Sequence, residues 1–521
     1  MAAVSLDVKD DAAVSLDSGS AIKKVDDSDA STPSGKALAA FSAGEHKKAV
    51  ELAKPLADKR DPLALYIMGF AHETGQGTQA SLAKAMEYYR KGVSIKHTDS
   101  IYRLASILIS SGLKDSVEEG RTLLEKQAVI DPSVAGRILG EAFLSGVLTG
   151  EPAPETAISW WKKAADAGDI TSILLLARFY DGQFGQPSFG NPKLAYDYFV
   201  NAAEKGNAIS MVAVGSRLLN SDVVKRDEKK GLEWLSKAIE NKEFTAHLAL
   251  GDYYESVKKD FDSAISSYNL GAEAGQSDCM LRAAIMHIEG KATEKNKQRG
   301  VELLEKAAKA ENSQAHLMLA SMLLSDESPD LGKGYGHLLA AANGGLLQAQ
   351  NELGLFYLSG KLGVADMPAA ASWLTRAAQG GFAAAQNNLA TLFERGAGVE
   401  KSYDKAGQLY TLAAQQGNAN ATLAIARFHA TGAATKVNPE LAWALATLAV
   451  ERGEKENGEL LIKQIEKEFT AEQLEAAKKE LAKIKADKPS DKPSDKPSDK
   501  PSDKPSDKPS DKPSDKPSDK P

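Results

Sequence analysis

The sequence predicts an all-α protein, an αα-solenoid of about eleven helical hairpins, and three observations carry that prediction. A pattern of a small residue, then Leu-Gly or its like, then an aromatic and a Gly-rich break recurs eleven times between Leu63 and Gly453. Its interval stays between 33 and 38 residues, which fits two short helices with tight turns and excludes most strand-built repeats. Small residues also stand wherever two helices must press together.

In the first helix of each hairpin, five residues before the "Gly" of the Leu-Gly pair, stand Ala64, Ser100, Ala135, Ser172, Ser210, Ala246, Cys279, Ala315, Ala349, Ala385 and Ala421. The matching positions of the second helix are Ala85, Gly120, Ala157, Ala195, Gly231, Ala264, Gly300, Gly334, Ala370, Ala406 and Ala442, every one Ala or Gly. Three residues after these come bulky side chains such as Tyr88, Trp160, Tyr198, Trp234 and Trp373, expected to fill the space the small ones leave open. His337 is the odd member of that set.

Helix starts are marked by Asp61-Pro62, Asp131-Pro132, Asn191-Pro192 and Asn438-Pro439. Each places an N-cap acceptor before a Pro whose missing N–H is not needed at the first helical position. Gly75, Gly146, Gly360, Gly396 and Gly432 are placed to end first helices, where a left-handed cap needs no Cβ.

One unit runs Phe393-Glu394-Arg395-Gly396-Ala397-Gly398-Val399, then Tyr403-Asp404-Lys405-Ala406, and closes on Ala413-Ala414-Gln415-Gln416-Gly417-Asn418. This resembles the Sel1-like repeat, a relative of the tetratricopeptide repeat. So does the run from Leu353-Gly354 to Tyr357 and Gly360, followed by Trp373 and Arg376-Ala377-Ala378. The resemblance covers residues 36 to 485 and implies a right-handed superhelix. Units two, five, six and eight depart from the pattern, with Leu108, Leu218 and Leu323 in place of the aromatic and with shortened or Gly-poor breaks.

Residues 36–456 are therefore expected to form the solenoid and 457–486 its C-terminal capping helices. Phe41-Ser42-Ala43-Gly44 with Ala49 to Leu56 reads as the second half of a preceding unit. Thr470-Ala471-Glu472-Gln473 reads as a capping box opening an amphipathic helix with Leu474, Ala477, Leu481 and Ile484 on one face. Residues 1–35, rich in Asp and Ser and carrying Ala-Ala-Val-Ser-Leu-Asp twice, are expected to be disordered. From Asp487 the chain is Asp-Lys-Pro-Ser eight times and then Asp519-Lys520-Pro521, expected to be an extended, PPII-biased tail. A spacer and a by-product of coding-repeat slippage fit that composition equally.

A net charge of -7 argues against nucleic acid as principal partner, since phosphate binding needs a basic stripe. No run of 18 apolar residues exists to span a membrane, and the first 30 residues lack the pattern of a signal peptide. As written the chain is expected to be cytoplasmic, with a periplasmic or secreted location the alternative if the sequence is a processed form. Its single cysteine, Cys279, stands on the small-residue ladder and reads as a packed thiol.

Catalytic and cofactor motifs fail on context. Gly75-Gln76-Gly77-Thr78-Gln79-Ala80 follows a helix without a βαβ unit, and Ser34-Gly35-Lys36 lacks the rest of a P-loop. His46, His72, His97, His247, His287, His316, His337 and His429 never pair at metal-ligand spacing on one helix, and His72, His287 and His429 occupy the aromatic slot of their repeats. Asn420-Ala421-Thr422 is a sequon by letters alone, at a predicted helix start. No catalytic, cofactor-binding or metal-binding residue is expected, and the chain reads as a non-enzyme.

What remains is surface. First helices usually line the concave side of such arrays, and in tetratricopeptide relatives the groove is read three residues before and one after the "Gly" of the first helix. The resemblance then gives Tyr66, Phe70, Tyr102, Arg137, Arg178, Asp252, Asn351, Asn387 and Arg427 as partner-binding candidates, with Leu174, Leu248, Leu281, Leu317 and Leu423 as core. Aromatics, Arg and Asn suit a peptide groove. The expected role is a protein-interaction scaffold that binds one or more proteins or peptides along its concave face. A carbohydrate-binding or cell-envelope protein, with a glycan as partner and the tail as spacer, is the alternative.

Overall fold

The computed structural model describes residues 31–486 apart from 222, 293, 326, 327 and 362. The expected disorder of the N-terminal stretch and the expected PPII tail thus fall outside the described residues, save at 31–35. There the helix Pro33–Ser42 already begins, with the Thr32 hydroxyl accepting from the Gly35 N–H at 2.9 Å. All described regular structure is helical, in antiparallel pairs from Pro33–Ser42 to Pro439–Glu451, followed by Lys455–Glu466 and Ala471–Ala486, which both pack on Pro439–Glu451. The leading element is a full pair, Pro33–Ser42 and His46–Ala57, where the sequence suggests half of one.

The sequence reads as one array, but packing divides it into two compact units, one ending at Ala310 and the other beginning at Glu311. Within each unit every helix packs on the next as far as Lys455–Glu466, so each is a stack of αα-hairpins, and the final helix, Ala471–Ala486, packs back on Pro439–Glu451. The C-terminal unit closes with Lys455–Glu466 and Ala471–Ala486, the second opened by a reciprocal capping box: the Thr470 N–H donates to Gln473 Oε1 at 3.1 Å and the Gln473 N–H to Thr470 Oγ1 at 3.2 Å.

Local chemistry sets the helix ends as expected. Asp61, Asp131, Asn191 and Asn438 each accept from a first-turn N–H, ahead of a Pro. Gly75, Gly360, Gly396 and Gly432 close first helices in the left-handed conformation, with φ between 65° and 75°, whereas Pro132–Leu144 is capped by Ser145 and Gly146 follows one residue later with φ 77°. In the sixth unit the first helix is only eight residues long, Ala246–Tyr253, and continues as one turn of π-helix to Lys258.

The small-residue ladder lies in the interior of the stack. All eleven first-helix members are fully buried, and the Ala and Gly of the second-helix ladder are buried with them. The side chain that fills the gap is not the one expected. Tyr88, Trp160, Tyr198, Trp234 and Trp373 are only half-buried; the residues one further on, Tyr89, Trp161, Phe199, Leu235 and Leu374, are the buried ones. These face the Leu-Gly backbone: a Cβ at Gly69 would lie 2.5 Å from the Tyr89 ring, and one at Gly140 would lie 2.4 Å from the Trp161 indole. The three half-buried tryptophans carry a cation one turn on instead, with Lys163 over Trp160 at 4.1 Å, Arg376 over Trp373 at 4.4 Å and Lys237 over Trp234 at 4.6 Å. A helix turns 100° per residue, so this one-place difference separates the core from its rim.

Candidate functional site

The first-helix face does not present the nine candidates as one lining. Tyr66, Phe70, Tyr102 and Asn351 are buried. Tyr66 stacks on Phe70 with 6.2 Å between centroids and also packs on Tyr89 and His97, while the Arg103 guanidinium lies 5.3 Å from the Phe70 ring. The expected core residues Leu317 and Leu423 are buried, whereas Leu174, Leu248 and Leu281 are half-buried.

Several polar candidates belong to links that tie one first helix to the next. Glu73 accepts from Arg103 at 2.7 Å and from the Tyr89 hydroxyl at 2.6 Å. Asp181 pairs with Arg217 at 2.6 Å. Asp252 and Glu255 accept from the Tyr268 hydroxyl at 2.8 and 2.9 Å, and beyond them lie Arg282 and Lys291 at 3.7 and 3.5 Å. Glu394 accepts from the Tyr410 hydroxyl at 2.7 Å with Arg427 at 3.7 Å, and the Asn388 amide donates to Asn351 Oδ1 at 2.9 Å. Burial and the adjoining carboxylates push the tyrosine hydroxyls up, Tyr410 to about 12. Arg178 bonds Gln183 Oε1 at 2.8 Å.

Arg137 bridges Glu141 at 3.4 Å and Asp169 at 3.7 Å. Burial raises the Glu141 carboxyl from 4.5 to about 7, with Arg137 pulling the other way. A carboxyl raised by folding favours the folded state while protonated, so its stabilisation is complete below about pH 4.5 and lost as pH rises through about 7. Glu141→Gln is expected to flatten the fall in stability between those pH values, by up to ~3 kcal/mol for a shift of this size. Urea unfolding at pH 4.5 and 7.5 measures it; equal slopes for both proteins contradict it.

Two candidates, Asn387 and Arg427, do meet. They line a cleft of about 460 Å³ between the first helices Ala383–Arg395, Ala419–Thr431 and Lys455–Glu466. Each helix contributes an asparagine (Asn387, Asn420, Asn457), Arg427 and Glu454 supply opposite charges, and Leu423, Leu460 and Leu461 form the apolar wall. Leu460 is 53% exposed and Arg427 is exposed, so the cleft is open to a partner. Amide side chains that both donate and accept, beside the exposed Leu460, suit the main chain and apolar side chains of an extended segment. A second groove, of about 700 Å³, runs beside Tyr403, Leu412, Phe428 and His429.

Sequence reasoning missed Asn420, Asn457 and Gln464, because the first stood in a sequon and the others in a stretch read as a cap. It also missed a histidine pair. His316 and His337, on the two helices of one hairpin, approach to 2.9 Å between Nδ1 atoms, with 5.1 Å between ring centroids. Rings so far apart point nearly end to end, which is an N–H···N hydrogen bond rather than a chelate. No group of three or more His, Cys, Asp or Glu side chains among the described residues could hold a metal. His72 stacks on Tyr88 at 5.7 Å, as its aromatic slot requires.

A stack of helical hairpins cemented by small residues is an αα-solenoid repeat protein. The Sel1 repeat model matches residues 62–94, 137–169, 172–207, 208–242, 277–312, 347–382, 383–418 and 419–454, more than half of the chain, so the chain belongs to the Sel1 repeat family. Residues 486–521 match the PT disordered repeat. Among curated relatives, chitin synthase regulatory factor 4 of Schizosaccharomyces pombe is 29% identical over 245 residues, covering 43% of this chain and 37% of the relative. Chitin synthase regulator SKT5 of Saccharomyces cerevisiae is 26% identical over 239 residues, covering 43% and 34%. The chain thus spans about a third of the length of these relatives. Among solved structures, c5321, a protective antigen of uropathogenic Escherichia coli with an SLR fold, is 22% identical, covering 87% of this chain and 99% of that one at a TM-score of 0.47. The Sel1 repeat protein of Oxalobacter formigenes is 24% identical, covering 59% and 89% at 0.41. No helix among the described residues is long and apolar enough to cross a membrane.

Proposed function

We propose that this chain is a non-catalytic protein-interaction scaffold that holds an extended segment of a partner protein in the cleft between Ala383–Arg395, Ala419–Thr431 and Lys455–Glu466. The observation that carries the proposal is the meeting there of three asparagines from three successive first helices with Arg427, Glu454 and exposed Leu460. Main-chain amides of an extended segment satisfy such asparagines whatever its sequence, and the leucines select its apolar side chains. Membership of the Sel1 repeat family supports the class, and the two relatives named as chitin synthase regulators support a regulatory partner in polysaccharide synthesis.

The glycan reading is weaker on one physical ground. Sugar binding on this face would use aromatic rings to stack on, and Tyr66 and Tyr102 are 6% and 5% exposed, with Tyr66 already packed against protein. For the scaffold reading, Arg427→Ala combined with Asn457→Ala is expected to weaken partner capture at least tenfold, roughly 1.4 kcal/mol, with the helical content intact. Titration of the captured partner against both proteins measures it. Unchanged affinity in the double variant would place binding elsewhere.

A further inference from the structure

We propose that the Asp-Lys-Pro-Ser segment, residues 487–521, folds back as an intramolecular occupant of this same cleft and competes with the partner segment; the inference rests on the reading of the cleft just given. The exit point favours it. The helix Ala471–Ala486 runs parallel to Pro439–Glu451, with the Gln473 amide donating to Glu440 at 3.3 Å at one end and Lys485 pairing with Glu451 at 2.6 Å at the other. The segment therefore starts beside the end of Pro439–Glu451, and the chain leaving that helix reaches Glu454, on the cleft wall, three residues later.

Reach is ample, since 35 residues at ~3.1 Å each can extend ~110 Å, against ~20 Å for the helices that wall the cleft. The chemistry matches. Each repeat carries one carboxylate and one ammonium, which suit Arg427 and Glu454, and its proline removes a main-chain N–H, leaving more acceptors than donors for the asparagine amides to serve. The only apolar side chains of the segment are its proline rings, and the groove beside Tyr403 and Phe428 has no Arg or Lys in its lining to meet the carboxylates. Tethering and repetition do the rest. A tethered ligand acts at an effective concentration of order millimolar, so a weak affinity fills the cleft part of the time, and eight copies of one motif supply many equivalent registers. The tail then sets a threshold that a partner must exceed.

The single cysteine makes the test clean. Cys279 is fully buried and its thiol is pushed up to about 12 by burial, so Ser502→Cys in the full chain is labelled selectively with a benzophenone maleimide. Photo-cross-links are expected in 420–427 and 454–464 and are expected to disappear with Arg427→Ala plus Asn457→Ala. In parallel, an array of synthetic extended peptides is titrated against the full chain and against a chain ending at Ala486, with a two- to tenfold gain in affinity expected on removing the tail. Cross-links spread evenly over the surface, or peptides bound equally by both forms, overturn the tail proposal and leave the cleft as a partner site. Cross-links confined to the cleft with no peptide bound by either form make the tail its occupant and overturn the scaffold reading.

Discussion

Replacing Trp161 with alanine is expected to destabilise the N-terminal unit by ~3–5 kcal/mol, the usual cost of deleting a fully buried aromatic. The indole is 0% exposed, fills the space over Gly140, lies 5.9 Å from the Phe179 ring, and donates through Nε1 to the Arg137 carbonyl at 3.3 Å. Removing it opens a cavity between the third and fourth hairpins and takes away the second donor of a carbonyl that also lies in the hydrogen-bond ladder of Pro132–Leu144. Each hairpin packs mainly on its neighbours, so the damage is expected to be graded. Hydrogen exchange should rise most in 132–204 and fade toward Pro33–Ser42 and toward Lys297–Lys309. A uniform rise over all of residues 33–309 would contradict the nearest-neighbour account.

Gly251→Leu is expected to cost at least ~1–3 kcal/mol through overpacking. A Cβ at that position would stand 2.2 Å from the Tyr268 ring, and the ring is anchored by its hydroxyl to Asp252 and Glu255. It cannot swing aside without giving up both hydrogen bonds. The helix has little reserve, since Ala246–Tyr253 is short and gives way to a π turn ending at Lys259 with φ 57°. Combining the change with Tyr268→Ala removes the obstacle, so the double variant is expected to lose less than the two single losses added together, by ~0.5–3 kcal/mol in a double-mutant cycle. Strict additivity would show that the ring is not what the leucine meets.

The helical repeat was legible because its requirements are local. A residue that must be small is small in every unit, and Asp or Asn before Pro caps a helix whatever lies beyond it. The one-place difference between Trp160 and Trp161 was not legible, because a half-buried aromatic under a lysine and a buried one look alike in letters. Pairs such as Glu73 with Arg103 or Asp181 with Arg217 join different hairpins, and the varying interval between units shifts which residues face each other. Asn387 and Arg427 could be found from register within one helix. Asn457 and Gln464 could not, since their place in the cleft depends on how Lys455–Glu466 packs after the last full repeat. Of the units that depart from the repeat pattern, two, six and eight are those the Sel1 model passes over, whereas five is matched. In six the shortened first helix is the physical counterpart.

The central claim is that a partner segment lies across three first helices of the C-terminal unit. Hydrogen exchange of the full chain, free and saturated with its captured partner, tests this most directly. The account predicts slowed exchange in 387–391, 420–427 and 457–464, with the face around Tyr66 and Tyr102 unchanged. Protection confined to the second helices, or to the groove beside Tyr403 and His429, would contradict it.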